Sequence, residues 1–347
     1  MPRQTIESLQ AGRGLAALAV VVHHSGLAAH DFGGFDAPLL SYGYLGVDFF
    51  FVLSGFIILH STVGRGKSAM DYAASRLRRI YPPYWPVGVG IALFYVWLPG
   101  LSAGGGRAWS WLPTLTLLPV SGDTALVVAW TLKHEILFYA LFGVAYFSGF
   151  LWPALIAWAA AIGVGVILGA NAVPLRTINF EFLFGILACV ATRHGRRSPL
   201  LLAGSVLAFS LWVALGAQRE LSFLVGLAFA LAIPPIVGAE WRGRLAVPAP
   251  LVFLGAASYS IYLVHPLFTP IAGRLLHGHA YAILGFGILG SLAVGSLYHL
   301  AVEKPLLGMS WSWLFPEKRS GMCSICRMEP PLKGKNYCET CAELAIW

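Results

Sequence analysis

His24, Asp48, Glu135 and His265 each lie inside a strongly apolar stretch of a 347-residue sequence. A carboxylate at the centre of a membrane helix costs roughly 2.5 to 3.5 kcal/mol on insertion scales, so ionisable residues in such stretches are kept for pairing, packing or chemistry. A neutral imidazole near pH 7 can take a proton from a hydroxyl, and a carboxylate on its other nitrogen would fix the tautomer and stabilise the imidazolium. That is the logic of acyl transfer. The sequence has no G-x-S-x-G elbow to supply a serine nucleophile. Ser54 sits in an apolar run where its hydroxyl can bond the preceding helical turn, so direct attack by an acceptor hydroxyl is the preferred chemistry. For any one histidine alone, a hydrogen bond in a bundle interior is the simpler account. As a set, the four residues point to a site.

A second signal is cationic. Arg65, Lys67, Arg76, Arg78 and Arg79 follow the apolar run that begins near Asp48, and the cluster ends at Pro82 and Pro83. Arg76 and Arg79, three residues apart, project from one face if the segment is helical and can grip one phosphate between them. Topology alone accounts for Arg78.

The elements that must position these groups are membrane helices. With 58% hydrophobic and 11% charged residues, the chain reads as an all-α, polytopic transmembrane helix bundle with no separate soluble domain between the spans. Ten helices are expected near 9–29, 46–62, 84–100, 126–147, 151–169, 178–192, 200–216, 221–238, 251–271 and 281–301. The first lacks a small-residue cleavage site and is expected to be retained. The net charge of +8 reports orientation and not a nucleic-acid partner. With both termini cytoplasmic in an inner or plasma membrane, the inside loops carry Arg65 to Arg79, then Arg193, Arg196 and Arg197, then Arg242 and Arg244. The outside loops carry only Arg107, Arg176, Arg219 and Arg274, as the positive-inside rule asks. Counting about 1.5 Å per residue, His24 lies roughly 22 Å above the inner end of its helix, a depth similar to Asp48, Glu135 and His265.

The segment 308–347 differs from the bundle at 1–307. Cys323, Cys326, Cys338 and Cys341 form C-x2-C, eleven residues, C-x2-C. Paired thiolates at this spacing can wrap one tetrahedral zinc, and a tail in the reducing cytoplasm is not expected to hold disulfides. A fusion or an unstructured extension would carry the same residues without metal. Cys189 reads as a buried helix residue.

Seven stretches in order, LQAGRGLAALAVVVHH, YLGVDFFFVLSGF, RLRRIYPPYW, WTLKHEILFY, NFEFLFGILA, LGAASYSIYLVHPL and VEKP, resemble the acyltransferase family 3 of membrane O-acyltransferases over about Ile6 to Pro305. The resemblance implies an acyl group, usually acetyl, taken from cytoplasmic acetyl-CoA or another acyl-CoA and delivered to a hydroxyl of a carbohydrate or glycoconjugate beyond the membrane. It implies His24 as the catalytic histidine, Arg76 and Arg79 as contacts for the CoA phosphates, and Glu135 as the motif glutamate. Asp48, Tyr259 and His265 fall on motif positions, Asp48 with a catalytic role and the other two in support of substrate or structure. Thr131, Lys133 and His134 depart from the family's W-S-L-S-x-E, and a cation beside Glu135 would weaken it as a base. Glu181 is expected to join two helices or to serve substrate, and Glu303 to be an interfacial charge. A transporter or flippase would also use intramembrane histidines and carboxylates. A membrane scaffold that recruits partners through its tail is the third possibility.

Overall fold

The computed structural model describes residues 6–98, 108–195 and 198–309. The four tail cysteines therefore lie outside the described residues. The described residues are helical with no strand, and ten long helices run in chain order: α1 Glu7–Gly33, α2 Gly46–Thr62, α3 Ala69–Trp97, α4 Trp130–Phe147, α5 Leu151–Ile167, α6 Phe180–Arg193, α7 Pro199–Ala214, α8 Phe223–Trp241, α9 Ala249–Leu275 and α10 Ala280–Tyr298. Each expected segment thus carries a helix. Five helical stretches are long and apolar enough to cross a membrane by length and composition: Pro38–Thr62, Val127–Phe147, Arg219–Trp241, Ala249–Leu275 and Ala280–Gly308. Leu151–Ile167 and Pro199–Ala214 are apolar but shorter. Leu200, Val206, Leu207 and Phe209 on α7 are exposed, as lipid-facing residues of a membrane bundle are.

α3 departs most from expectation, because it begins at Ala69 and carries the arginine cluster on a regular helix. A capping box starts it: Ser68 Oγ accepts from the Asp71 N–H at 3.1 Å, and Asp71 Oδ2 accepts from the Ser68 N–H at 3.3 Å. The helix then runs through Pro82, Pro83 and Pro86, each of which lacks the N–H that a regular turn uses. Tyrosine hydroxyls, one of its own and two from neighbouring helices, pin this weakened stretch. Tyr84 Oη donates to the Thr114 carbonyl at 2.7 Å, Tyr259 Oη to Ile80 at 2.9 Å and Tyr298 Oη to Pro83 at 2.8 Å.

Glycines bring the site-bearing helices into backbone contact. α2 and α6 cross where a Cβ on Gly55 would stand 2.0 Å from the Phe182 carbonyl oxygen and one on Gly185 1.9 Å from that of Val52. α1 and α9 meet in the same way, with a Cβ on Gly255 falling 1.9 Å from the Gln10 carbonyl oxygen. Small residues at such crossings allow the close packing that membrane helices rely on. α1 packs against α9, α10 and α2, while α2 packs against α6 and α6 against α8.

Glu303 overturns its expectation as an interfacial charge. A π-helical stretch, His299–Glu303, turns it inward, where it is 1% exposed and accepts from Ser260 Oγ at 2.6 Å and His299 Nδ1 at 2.8 Å. Pairing makes that burial tolerable.

Gly185→Ala should lower the thermal unfolding midpoint in detergent by several degrees, because overpacking at a backbone contact costs about 1–3 kcal/mol. Gly163→Ala, where an added Cβ meets nothing within 4 Å, should leave the midpoint unchanged.

Candidate active site

A cavity of about 390 Å³ lies between α1, α2, α3, α4 and α9. It follows α2 from Ser61 to Val47, fourteen residues apart, which is about 21 Å of helix. Arg13, His60, Ser61 and Arg76 line the end near the start of α1, with Arg79 from the next turn of α3. Ser54, Glu135, Tyr139 and Tyr259 line its middle, and Val47, Phe50, Thr131 and Tyr262 its far end.

Arg76 and Arg79 share the cavity face, as their spacing predicts. Arg76 is 8% exposed, donates to Ser61 Oγ at 2.5 Å and sits over the Tyr72 and Tyr139 rings at 5.6 and 5.5 Å. Its Nε is buried without a hydrogen-bond partner. Arg13 joins them. It was not singled out from the sequence, although an arginine six residues into an apolar helix is itself a signal. Its Nη1 donates to Gln10 Oε1 at 3.3 Å, and it lies within electrostatic reach of Arg79, Glu303 and Glu135. Among the described residues, no ion pair within 4.0 Å joins any of the three guanidinium groups to a carboxylate. Arg78 faces away and donates to the carbonyls of Leu307 and Met309 at 3.3 and 3.0 Å.

Glu135 Oε1 accepts from Ser54 Oγ at 3.1 Å and from Tyr139 Oη. Ser54 is therefore a cavity group, not merely a helix-internal hydroxyl. The two residues expected to disturb Glu135 point elsewhere. Lys133 Nζ donates to the carbonyls of Val120 and Gly122 at 2.9 and 3.0 Å, and His134 Nδ1 meets Asn179 Oδ1 at 2.9 Å.

His24 and His265 meet beyond the far end of the cavity. His265 Nε2 is 3.3 Å from His24 Nδ1, and the ring centroids are 4.9 Å apart. His265 Nδ1 faces the Tyr262 carbonyl at 2.8 Å and His24 Nδ1 the Val20 carbonyl at 3.0 Å. A carbonyl only accepts, so both Nδ1 atoms carry the proton in the neutral rings. His265 Nε2 is then an acceptor for the His24 Nδ1–H, and the lone pair of His24 is left on Nε2. The partner on the second nitrogen of His24 is an imidazole and a carbonyl, in place of the expected carboxylate.

Asp48 sits elsewhere at the far end. Its carboxyl group neighbours Glu181 and Ser222, and Asp48 Oδ1 and both Glu181 oxygens are buried without hydrogen-bond geometry to any partner. Tyr259 supports α3 through Ile80 and also lines the cavity. Among the described residues, no group of three or more His, Cys, Asp or Glu could hold a metal ion.

Fold and site define an all-helical membrane protein with an imidazole pair above an arginine-lined cavity. Residues 6–300 match the acyltransferase domain family, and the chain belongs to it. The chain is similar to the exopolysaccharide production protein ExoZ of Rhizobium meliloti, 30% identical over 301 residues that cover 76% of this chain and 90% of that protein. It is also similar to the acyltransferase MdmB of Streptomyces mycarofaciens, 26% identical over 88% of this chain and 93% of that one. No solved structure matches it. The protein is an O-acyltransferase enzyme of the membrane-bound kind.

Side-chain ¹⁵N spectra of histidine-labelled protein, taken where both rings are neutral, should show His24 and His265 as Nδ1–H tautomers. A His24 ring protonated on Nε2 would contradict the hydrogen-bond chain.

Proposed function

We propose that the enzyme moves an acyl group, acetyl in the first instance, from cytoplasmic acyl-CoA to a hydroxyl of a carbohydrate or glycoconjugate at the outer face of the membrane. The observation that carries this reading is the set of three guanidinium groups around one cavity without a carboxylate partner within 4.0 Å among the described residues. Arginine without a fixed counter-ion in a confined space suits phosphate, and Arg76 and Arg79 together with Arg13 offer planar donors to the phosphates of CoA. Orientation by the positive-inside rule puts this end in the cytoplasm, with ten spans and both termini inside. From Arg13 to His24 α1 climbs eleven residues, about 17 Å, which calls for a long, thin, thiol-ended arm to bring the thioester up. The similarity to an exopolysaccharide production protein favours a polysaccharide or its precursor as acceptor.

In the proposed reaction the acceptor hydroxyl enters from the outer end and gives its proton to His24 Nε2. Its oxygen attacks the thioester carbonyl carbon, the C–S bond breaks, and the CoA thiolate takes the proton back from the His24 imidazolium. His265 Nε2, accepting from His24 Nδ1–H, holds the ring and stabilises its charged form. Glu135 keeps an electrostatic and orienting role opposite the arginines. Asp48, whose carboxyl group neighbours Glu181 and Ser222, supports the outer end of α2. In the tail, Cys323, Cys326, Cys338 and Cys341 remain a proposed zinc site.

His24→Ala should reduce kcat for transfer from acetyl-CoA by about 10²–10⁴ while acetyl-CoA binding is retained. Arg76→Ala with Arg79→Ala should raise the KM for acetyl-CoA at least tenfold, since each charged hydrogen bond contributes about 1.5–3 kcal/mol. Both are read in oriented vesicles supplied with labelled acetyl-CoA on the cytoplasmic face. Transfer that is unchanged in His24→Ala would refute the mechanism, and an unchanged KM would refute the phosphate role.

A further inference from the structure

The cavity stops short of the histidine pair. Neither His24 nor His265 lines it, whereas Phe50 and Tyr262 do. Four rings bridge the gap in sequence: Phe50 to Tyr262 at 6.0 Å between centroids, Tyr262 to His265 at 5.5 Å, and His265 to His24 at 4.9 Å. An acyl group carried up from the arginine end therefore meets the Phe50–Tyr262 pair last before it meets the imidazoles.

The two halves of that pair are held differently. Tyr262 is 7% exposed. Its hydroxyl lies 3.0 Å from Thr131 Oγ1 and 3.1 Å from the Val128 carbonyl, and its own carbonyl holds His265. Moving Tyr262 breaks two hydrogen bonds and shifts the residue that orients His24. Phe50 has no such tie. It is half-buried, its side chain can make only packing contacts, and its cavity neighbours Val47 and Phe51 are apolar. Of the far-end side chains that make no hydrogen bond, Val47 and Phe50, Phe50 is the larger; it packs on the apolar cluster of Ala17, Val21, Ala257 and Ile261 and against the Tyr262 ring, so its size bears most on the space left for an acyl group.

We propose that Phe50, backed by the fixed Tyr262, selects the acyl group by size and admits short, uncharged acyl chains to His24. The apolar surroundings disfavour a carboxylate-ended acyl group, which would enter without a partner. The proposal rests on the acyl-CoA reading above.

The test is an acyl-CoA series, acetyl, propionyl, butyryl and hexanoyl, given to the full-length enzyme in nanodiscs with one fixed acceptor extract, and read as kcat/KM ratios. A ratio is independent of the fraction of protein that folds. Wild type should favour the shortest chains. Phe50→Ala should raise the butyryl-to-acetyl ratio by about tenfold or more, because one methylene in an apolar pocket is worth about 10–200-fold. Phe50→Leu should give a smaller gain, and Phe50→Trp should lower the propionyl-to-acetyl ratio. A wild type that uses hexanoyl-CoA as well as acetyl-CoA, or ratios unchanged in Phe50→Ala and Phe50→Leu, would overturn the selector while leaving acyl-CoA as the donor. A wild type that turns over no acyl-CoA of any length would overturn the donor reading and the selector with it.

Discussion

Keeping three guanidinium groups around one cavity inside an apolar bundle is the constraint on which the rest of this structure depends. A charge withdrawn from water loses several kcal/mol of solvation unless something replaces it. Here the replacement is partial. Arg76 has a serine hydroxyl and two aromatic faces, Arg13 has one glutamine oxygen, and Glu135 and Glu303 stand within electrostatic reach of Arg13 without closing on it. A bundle that gave each arginine its own carboxylate would be easier to fold, and its cavity would have less to offer an anion. The proline-rich stretch of α3 beside these arginines follows the same pattern, because its backbone carbonyls at Ile80 and Pro83 are held by the hydroxyls of Tyr259 and Tyr298 from neighbouring helices.

The imidazole pair is organised by backbone. Both Nδ1 atoms face carbonyls one helical turn back, so the helices themselves set which nitrogen holds the proton. The two rings meet each other only while α1 and α9 remain in contact, and the Gly255–Gln10 approach is part of that contact. Each helix thus sets the tautomer of its own histidine, and the crossing of α1 and α9 sets how the two rings face each other.

Several features were legible from residue type and spacing. Lipid penalises every polar residue in a helix, so His24, Glu135 and His265 stood out against their surroundings, and the three-residue spacing of Arg76 and Arg79 placed them on one face. The same reasoning failed where partners come from other helices. A carboxylate was expected on the second nitrogen of His24, where an imidazole and a carbonyl stand, and the neighbours of Asp48, Glu181 and Ser222, could not be read from its spacing. Lys133 and His134, adjacent to Glu135 in sequence, are turned by helical geometry toward a loop and toward Asn179. Glu303 lies near a helix end, where an interfacial charge is the ordinary case, and only the π-helical stretch carries it inside.

The sequence by itself determined an all-helical membrane protein with imidazoles in apolar helices and a cationic face, because composition and the cost of polar groups in lipid act locally along the chain, and its seven ordered motifs carried the resemblance to an acyltransferase family. Only the tertiary structure decided that Arg13 joins Arg76 and Arg79, that Ser54 bonds Glu135, that an imidazole replaces a carboxylate beside His24, and that Phe50 and Tyr262 stand between cavity and histidines. Each of these depends on the rotation and height of one helix against another, which close backbone crossings fix to within a fraction of a turn and which no spacing within a single helix contains.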